Sequence, residues 1–169
     1  MAWFDEIKGK LGGVASLIGG KAGFPKTLTV ADFMAAPVAV VVDKFNKFGE
    51  FVVPAQQAYE FGYGSASQPE NQGYLYISLL TMSAVQIEGK LRLIVSDANE
   101  MKQTVVYEER TEVLRGSTTL KTQKIPLPKI GATLKENDKM LLYIDPDSAV
   151  TISSTASTIL VPATAHFGV

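Results

Sequence analysis

A chain of 169 residues, 46% of them hydrophobic and 20% charged, has enough apolar material for one packed domain and excludes general disorder. A net charge of −1 and a pI near 5.9 provide no overall attraction to nucleic acid or to anionic membrane. The absence of cysteine removes disulfides, thiolate metal sites and cysteine nucleophiles.

The first 24 residues differ from the rest. Phe4, Ile7, Leu11, Val14 and Ile18 recur at helical spacing, with Trp3 beside them, which makes one apolar stripe on a helix. Asp5 and Glu6 fall in its first turn, where they complement the helix dipole. Gly9, Gly12, Gly13, Gly19 and Gly20 each cost about 1 kcal/mol relative to alanine in a helix interior. Such a helix is marginal alone in water, so this arm needs a surface: its own domain, a neighbouring subunit or a membrane. It does not read as an export signal, because Asp5, Glu6, Lys8 and Lys10 interrupt it and the apolar core Val14–Ile18 is short. No apolar run reaches the roughly 20 residues of a membrane span.

Residues 25–46 read as a connector. Thr29–Ala36 is a second short helical piece, with Thr29 as N-cap, Asp32 at the third helical position and Pro37 as its stop. Val38–Val42 follows as a buried strand by its β-branching.

From residue 47 to 169 the chain is a succession of strands and turns. Glu50–Val53 and Gln57–Tyr63 flank a corner at Pro54–Gln56, and Tyr59, Phe61 and Tyr63 share one face of the second run. A polar loop, Gly64–Gly73, precedes Tyr74–Met82, a run apolar on both faces and hence central or covered. Gln86–Ser96 alternates cleanly, with Ile87, Leu91, Leu93 and Val95 against Gln86, Glu88, Lys90 and Arg92. Asp97–Glu100 is a turn, and Gln103–Glu108 a strand with Val105 and Tyr107 inward. Glu109–Gly116 reads as a charged helical turn. Thr119–Ile125, Lys139–Asp145, Ala149–Ile152 and Thr158–Thr164 are further strands, with a turn at Asp145–Ser148. Eight or nine strands with regular turn signals predict an all-β sandwich or barrel. The unequal loops favour Greek-key connections, of which the jelly roll is the two-sheet, eight-strand form.

A search for chemistry returns little. His166, the one histidine, sits near the C-terminus with no visible orienting partner or nucleophile, and reads as a surface residue. A zinc site is not supported. The pairs Asp97/Glu100 and Asp145/Asp147 could supply calcium oxygens, although aspartate and proline are also ordinary turn residues. Glu108, Glu109 and Glu112 have no second carboxylate placed opposite them, as glycoside hydrolysis requires, and pairing with Arg110, Arg115 or Lys102 is the plainer expectation. Arg110, Arg115, Lys121, Lys124 and Lys129 suggest a solvated or subunit-facing surface more than a nucleic-acid face. The tyrosines Tyr59, Tyr63, Tyr74 and Tyr76 suit the core or a subunit interface before a sugar platform.

A helix-prone arm followed by a cysteine-free β domain is a pattern with a counterpart. EFVVPAQQAYEFGYG opens that domain, EGKLRLIVSDANEMKQTVVYEERTEVLRG forms its middle and TASTILVPAT closes it. The chain resembles the single jelly-roll capsid proteins of tailless icosahedral viruses of archaea and bacteria, of the internal-membrane, sphaerolipovirus-like kind. The resemblance implies a non-enzymatic virion protein with no cofactor, assembled in the host cytoplasm without a signal peptide. Its partners would be copies of itself, other capsid proteins and, through the arm, lipid, with no specific nucleic acid. The expected assembly residues are Trp3, Phe4, Ile7, Leu11, Val14 and Ile18 of the arm, with Tyr59 and Tyr63. A carbohydrate- or receptor-binding spike module and a filament or tail subunit are the alternatives.

Overall fold

A computed structural model of the chain describes residues 23–61, 74–81, 87–115, 123–126 and 134–169. The apolar arm up to residue 22, Tyr63, the 64–73 loop, Met82, Lys121 and Lys129 lie outside the described residues. Those described are almost entirely strand: β1 (Gly23–Leu28), β2 (Val38–Val40), β3 (Asn46–Val52), β4 (Gln57–Phe61), β5 (Tyr74–Leu80), β6 (Ile87–Ser96), β7 (Gln103–Arg115), β8 (Gln123–Pro126), β9 (Lys139–Pro146), β10 (Val150–Ile152) and β11 (Thr158–Phe167). The one helix among them, α1 (Val30–Phe33), is a single turn.

Pairing sorts eight of these strands into two sets. One runs β1–β11–β5–β8 and the other β3–β9–β6–β7, with every pair in both sets antiparallel. Only β6 and β7 are consecutive neighbours within a set; each other connection crosses from one set to the other. A short parallel contact, Leu79 and Leu80 against Leu114 and Arg115, joins the sets at one end. β4 adds to the end of β11 over Ala163–Phe167, while β5 holds its start over Thr158–Leu160. β2 and β10 form a separate two-stranded ribbon, tied to β5 by a bridge between Thr81 and Ile152.

The core lies between the sets. Leu28, Tyr59, Phe61, Leu75, Ile77, Leu79, Val161 and Ala165 meet Phe48, Phe51, Leu91, Leu93, Met140, Leu142 and Ile144 there. Each large apolar side chain so buried contributes about 1.5–3 kcal/mol. Tyr59 stacks on Phe61 at 6.1 Å and meets Phe51 edge-on at 5.1 Å. The Tyr59 hydroxyl accepts from Lys26 Nζ at 3.1 Å and donates to Gln57 Oε1 at 2.9 Å, which satisfies the polar tip of a fully buried ring. α1 caps one edge, bringing Phe33 over Gly49; a Cβ at residue 49 would lie 3.1 Å from Leu142 Cδ1 and 3.2 Å from Phe33 Cβ.

Several expectations are corrected here. β1 (Gly23–Leu28) forms in a stretch where no strand was expected. The helix expected over Thr29–Ala36 is only Val30–Phe33, although the Asp32 carboxylate does accept the Thr29 N–H at 2.8 Å. Of Val38–Val42 only Val40 is buried; Val41 and Val42 are exposed, because the Asn46 side chain bonds Val41 N–H and C=O and holds a loop in place of a strand. Val105 does not point inward. A bulge between Leu93 and Ile94 shifts the register, so Val106 and Tyr107 pack on the core and Val105 is 50% exposed. Glu109–Gly116 is no helical turn: β7 runs through to Arg115, since pairing with β6 overrides the local charge pattern.

Candidate functional site

The described chain has two outer faces, and they differ in chemistry. Side chains alternate across a strand, so the residues between the core positions of each set face outward.

On β3–β9–β6–β7 that face is a lattice of charge. Its cross-strand rows are Glu50–Leu141–Ile94–Val105, then Lys47–Tyr143–Arg92–Glu108, then Asp145–Lys90–Arg110. Lys47 donates to Glu100 Oε1 at 3.0 Å and lies 3.8 Å from Glu50; Lys139 bridges Glu50 at 3.1 Å and Glu100 at 3.4 Å. Glu108 accepts from Lys90 Nζ at 2.9 Å and from Arg92 Nε at 2.5 Å. The hydrogen bond from Arg92, then that from Lys90, lowers its carboxyl to about 2. The Arg92 guanidinium also sits 3.6 Å over the Phe45 ring. Arg110 pairs with Asp147, and with Glu88 at 3.3 Å. Beneath this lattice Ile94 and Leu141, paired in register, are buried on the outer side.

On β1–β11–β5–β8, with β4, the outward residues are almost free of charge. Pro25 and Thr27 lie beside Thr164 and Pro162; Leu160 lies beside Tyr76, and Thr158 beside Ser78. Glu60 and Lys124 alone carry charge among the described outward side chains of these strands. Within this face His166 is 2% exposed, which corrects its reading as a surface residue. The cause is close packing at the junction of β1, β11 and β4. A Cβ at Gly23 would fall 2.7 Å from His166 Cε1, and Glu60 Oε2 approaches Nε2 to 3.5 Å.

The remaining candidates are occupied. Asp97 Oδ1 accepts the N–H groups of Met101 at 2.8 Å and Lys102 at 3.1 Å, and these backbone donors, Lys102 first, lower its carboxyl. Glu100 closes the same turn with φ of 57° and faces the two lysines, the Lys47 hydrogen bond lowering it most. Asp147 pairs with Arg110. These carboxylates serve turns and ion pairs, and no group of three or more potential metal ligands occurs among the described residues. Glu108 pairs across strands with Lys90 and Arg92, not with the sequence neighbours expected for it. Of the expected assembly residues, Trp3, Phe4, Ile7, Leu11, Val14, Ile18 and Tyr63 lie outside the described residues. Tyr59 is fully buried within its own chain, so its place is the core and it offers no surface to a partner. An exposed aromatic pair went unnoticed in the sequence: Phe24 and Phe167, 56% and 44% exposed, with ring centroids 6.0 Å apart. Their proximity depends on the β1–β11 register, which sequence spacing does not encode.

No family description matches this sequence, and no curated protein does. Solved structures match loosely. A structure of infectious bursal disease virus, Gx strain, is 11% identical, with 85% of this chain and 31% of that chain covered and a TM-score of 0.39. The VP2 subviral particle of the same virus is 10% identical, with 86% and 41% covered and a TM-score of 0.40. The CBM22-1–GH10 modules of Clostridium thermocellum endo-1,4-beta-D-xylanase 10B are 13% identical, with 84% and 28% covered and a TM-score of 0.29. The chain spans under half the length of each. At these values the likenesses carry no argument about this protein.

Proposed function

We propose that this chain is a structural subunit of a virion shell: a single jelly roll, without catalytic activity, that assembles in many copies with itself and with other capsid proteins. Two four-stranded antiparallel sets, linked by connections that cross between them, fit the jelly-roll plan. The observation that carries the functional reading is the contrast between the two outer faces. One face is laced with ion pairs, while the other carries threonine, proline, leucine and tyrosine, with only Glu60 and Lys124 charged among its described outward side chains. Surfaces poor in charge are suited to contact with other protein, because charged residues are depleted at the cores of interfaces. The arm, with its apolar stripe, is the second contact element, reaching a neighbouring subunit or the inner lipid of the particle. Assembly in the host cytoplasm and residence in the virion belong to the same reading.

Deletion of residues 1–24 tests the arm. The truncated protein is expected to keep its β circular dichroism and to assemble poorly; normal particles from it would sink the role given to the arm.

A further inference from the structure

We propose that the root of the arm folds back over the β1–β11–β4 end of its own domain, so that Val14 and Ile18, the last turn of the apolar stripe, cover His166. The inference concerns residues 14–22 and leaves the rest of the arm for the contact given to it above. It applies to a single copy and does not rest on the multi-copy reading. Pairing sets Gly23, His166 and Ala58 in one outward row across β1, β11 and β4, followed by the row Pro25–Thr164–Glu60 and then by Thr27–Pro162. Exposure changes sharply between these rows. Pro25 and Thr27 are exposed, and Thr164, Glu60 and Pro162 are half-buried, whereas His166 and Ala58 are each 2% exposed. The strands pack His166 from its flanks and do not cover it from outside. Gly23 has no side chain, Ala58 ends at its methyl group, and Glu60, with Oε2 3.5 Å from Nε2, keeps its own side chain 39% exposed. A Cβ at residue 23 would lie 2.7 Å from His166 Cε1 and 3.1 Å from Nε2, so the imidazole leans over Gly23 with its other side turned away from the sheet. Closing off that side takes a cover from beyond the three strands.

The chain supplies the occupant. The arm joins β1 at Gly23, which is paired with His166 and so only about 4.8 Å away, one strand spacing. Residues 19–22 span at most about 14 Å, and the doublet Gly19–Gly20 allows the reversal of direction that a fold-back needs. Val14 and Ile18, four residues apart on one helical face, are then within reach of the His166 row. Contact with this uncharged end gives the glycine-rich helix the surface it lacks in water. Residues 127–133 end at Leu134, which bridges Tyr59 beyond β4, one strand further from His166 than the arm.

One histidine and no cysteine in the sequence make two probes specific to this site. In the full chain, His166 is expected to react with diethyl pyrocarbonate at least about tenfold faster in Val14→Asp/Ile18→Asp than in wild type, because an aspartate at either position opposes burial of the arm. Both substitutions lie in the arm, so the β circular dichroism should be retained. Ile18→Cys combined with Thr164→Cys is expected to form a disulfide within one chain on mild oxidation. Fast reaction of His166 in wild type would overturn the inference. So would equal, slow rates in wild type and the arm variant, which would assign the cover to another segment such as 127–133. A disulfide that is absent, or that forms only between chains, would overturn it as well, the latter in favour of the arm of a second copy. Should the aspartate variant fail to fold, the disulfide decides alone. The mass of the assembly tests the shell reading separately, so the two can fail independently.

Discussion

The two outer faces of this sandwich are made from the same kind of strand and do opposite things with charge. On β3–β9–β6–β7, Lys47, Glu50, Lys90, Arg92, Glu108 and Lys139 answer one another across strands. On β1–β11–β5–β8, the outward positions Thr27, Thr158, Leu160, Pro162 and Thr164 leave nothing to pair. Stability does not require this difference, since exposed ion pairs contribute little and both faces enclose the same core. It is better understood as a division of labour. Under the proposed function the paired face would stay solvated and the uncharged face would be the one that meets other protein.

The most drastic way to probe that comparison is to remove the core both faces share. Phe61 is buried and stacked on Tyr59, so Phe61→Asp is expected to unfold the domain at a cost of about 4 kcal/mol or more. A folded, soluble Phe61→Asp protein with defective assembly would place that ring at an interface instead.

A matched pair of lysines separates the faces directly. Leu160→Lys on the uncharged face and Val105→Lys on the charged one both alter exposed side chains, so each is expected to change stability by no more than about 0.5 kcal/mol. Sedimentation should show assembly lost in the first and retained in the second. Equal effects would end the claim that the faces have different roles.

The smallest effect concerns the lattice itself. Glu108 is held at about 2, below its ordinary carboxyl value of 4.5. Its contribution is therefore present above the unfolded value and lost as pH falls through the folded one. Denaturation midpoints of wild type and Glu108→Gln should differ above about pH 5 and converge toward pH 2. A difference that grows on acidification would contradict the pairing with Arg92 and Lys90.

Much of this arrangement was legible in the sequence. β6 declared both its faces through the alternation of Leu91, Leu93 and Val95 with Glu88, Lys90 and Arg92, because the first set is buried and the second reaches solvent, although Ile94 on the outer side is buried as well. Asp97 and Asn99 marked the β6–β7 turn through side-chain chemistry local to it. What stayed hidden is non-local. The bulge that turns Val105 outward, the register that buries His166 under Gly23, and the pairing of Glu108 with residues 16 and 18 positions away all depend on strand neighbours. Alternation fixes the face of a residue and is silent about the strand beside it. For the same reason the uncharged face could not be recognised until β1, β11, β5 and β8 were set side by side.

The mass and shape of the native protein, by light scattering and electron microscopy over a range of concentrations, bear most directly on the central claim. A shell subunit predicts a closed particle of many copies, or discrete oligomers that close into one. A monomer at every concentration, or an open helical fibre, would contradict it.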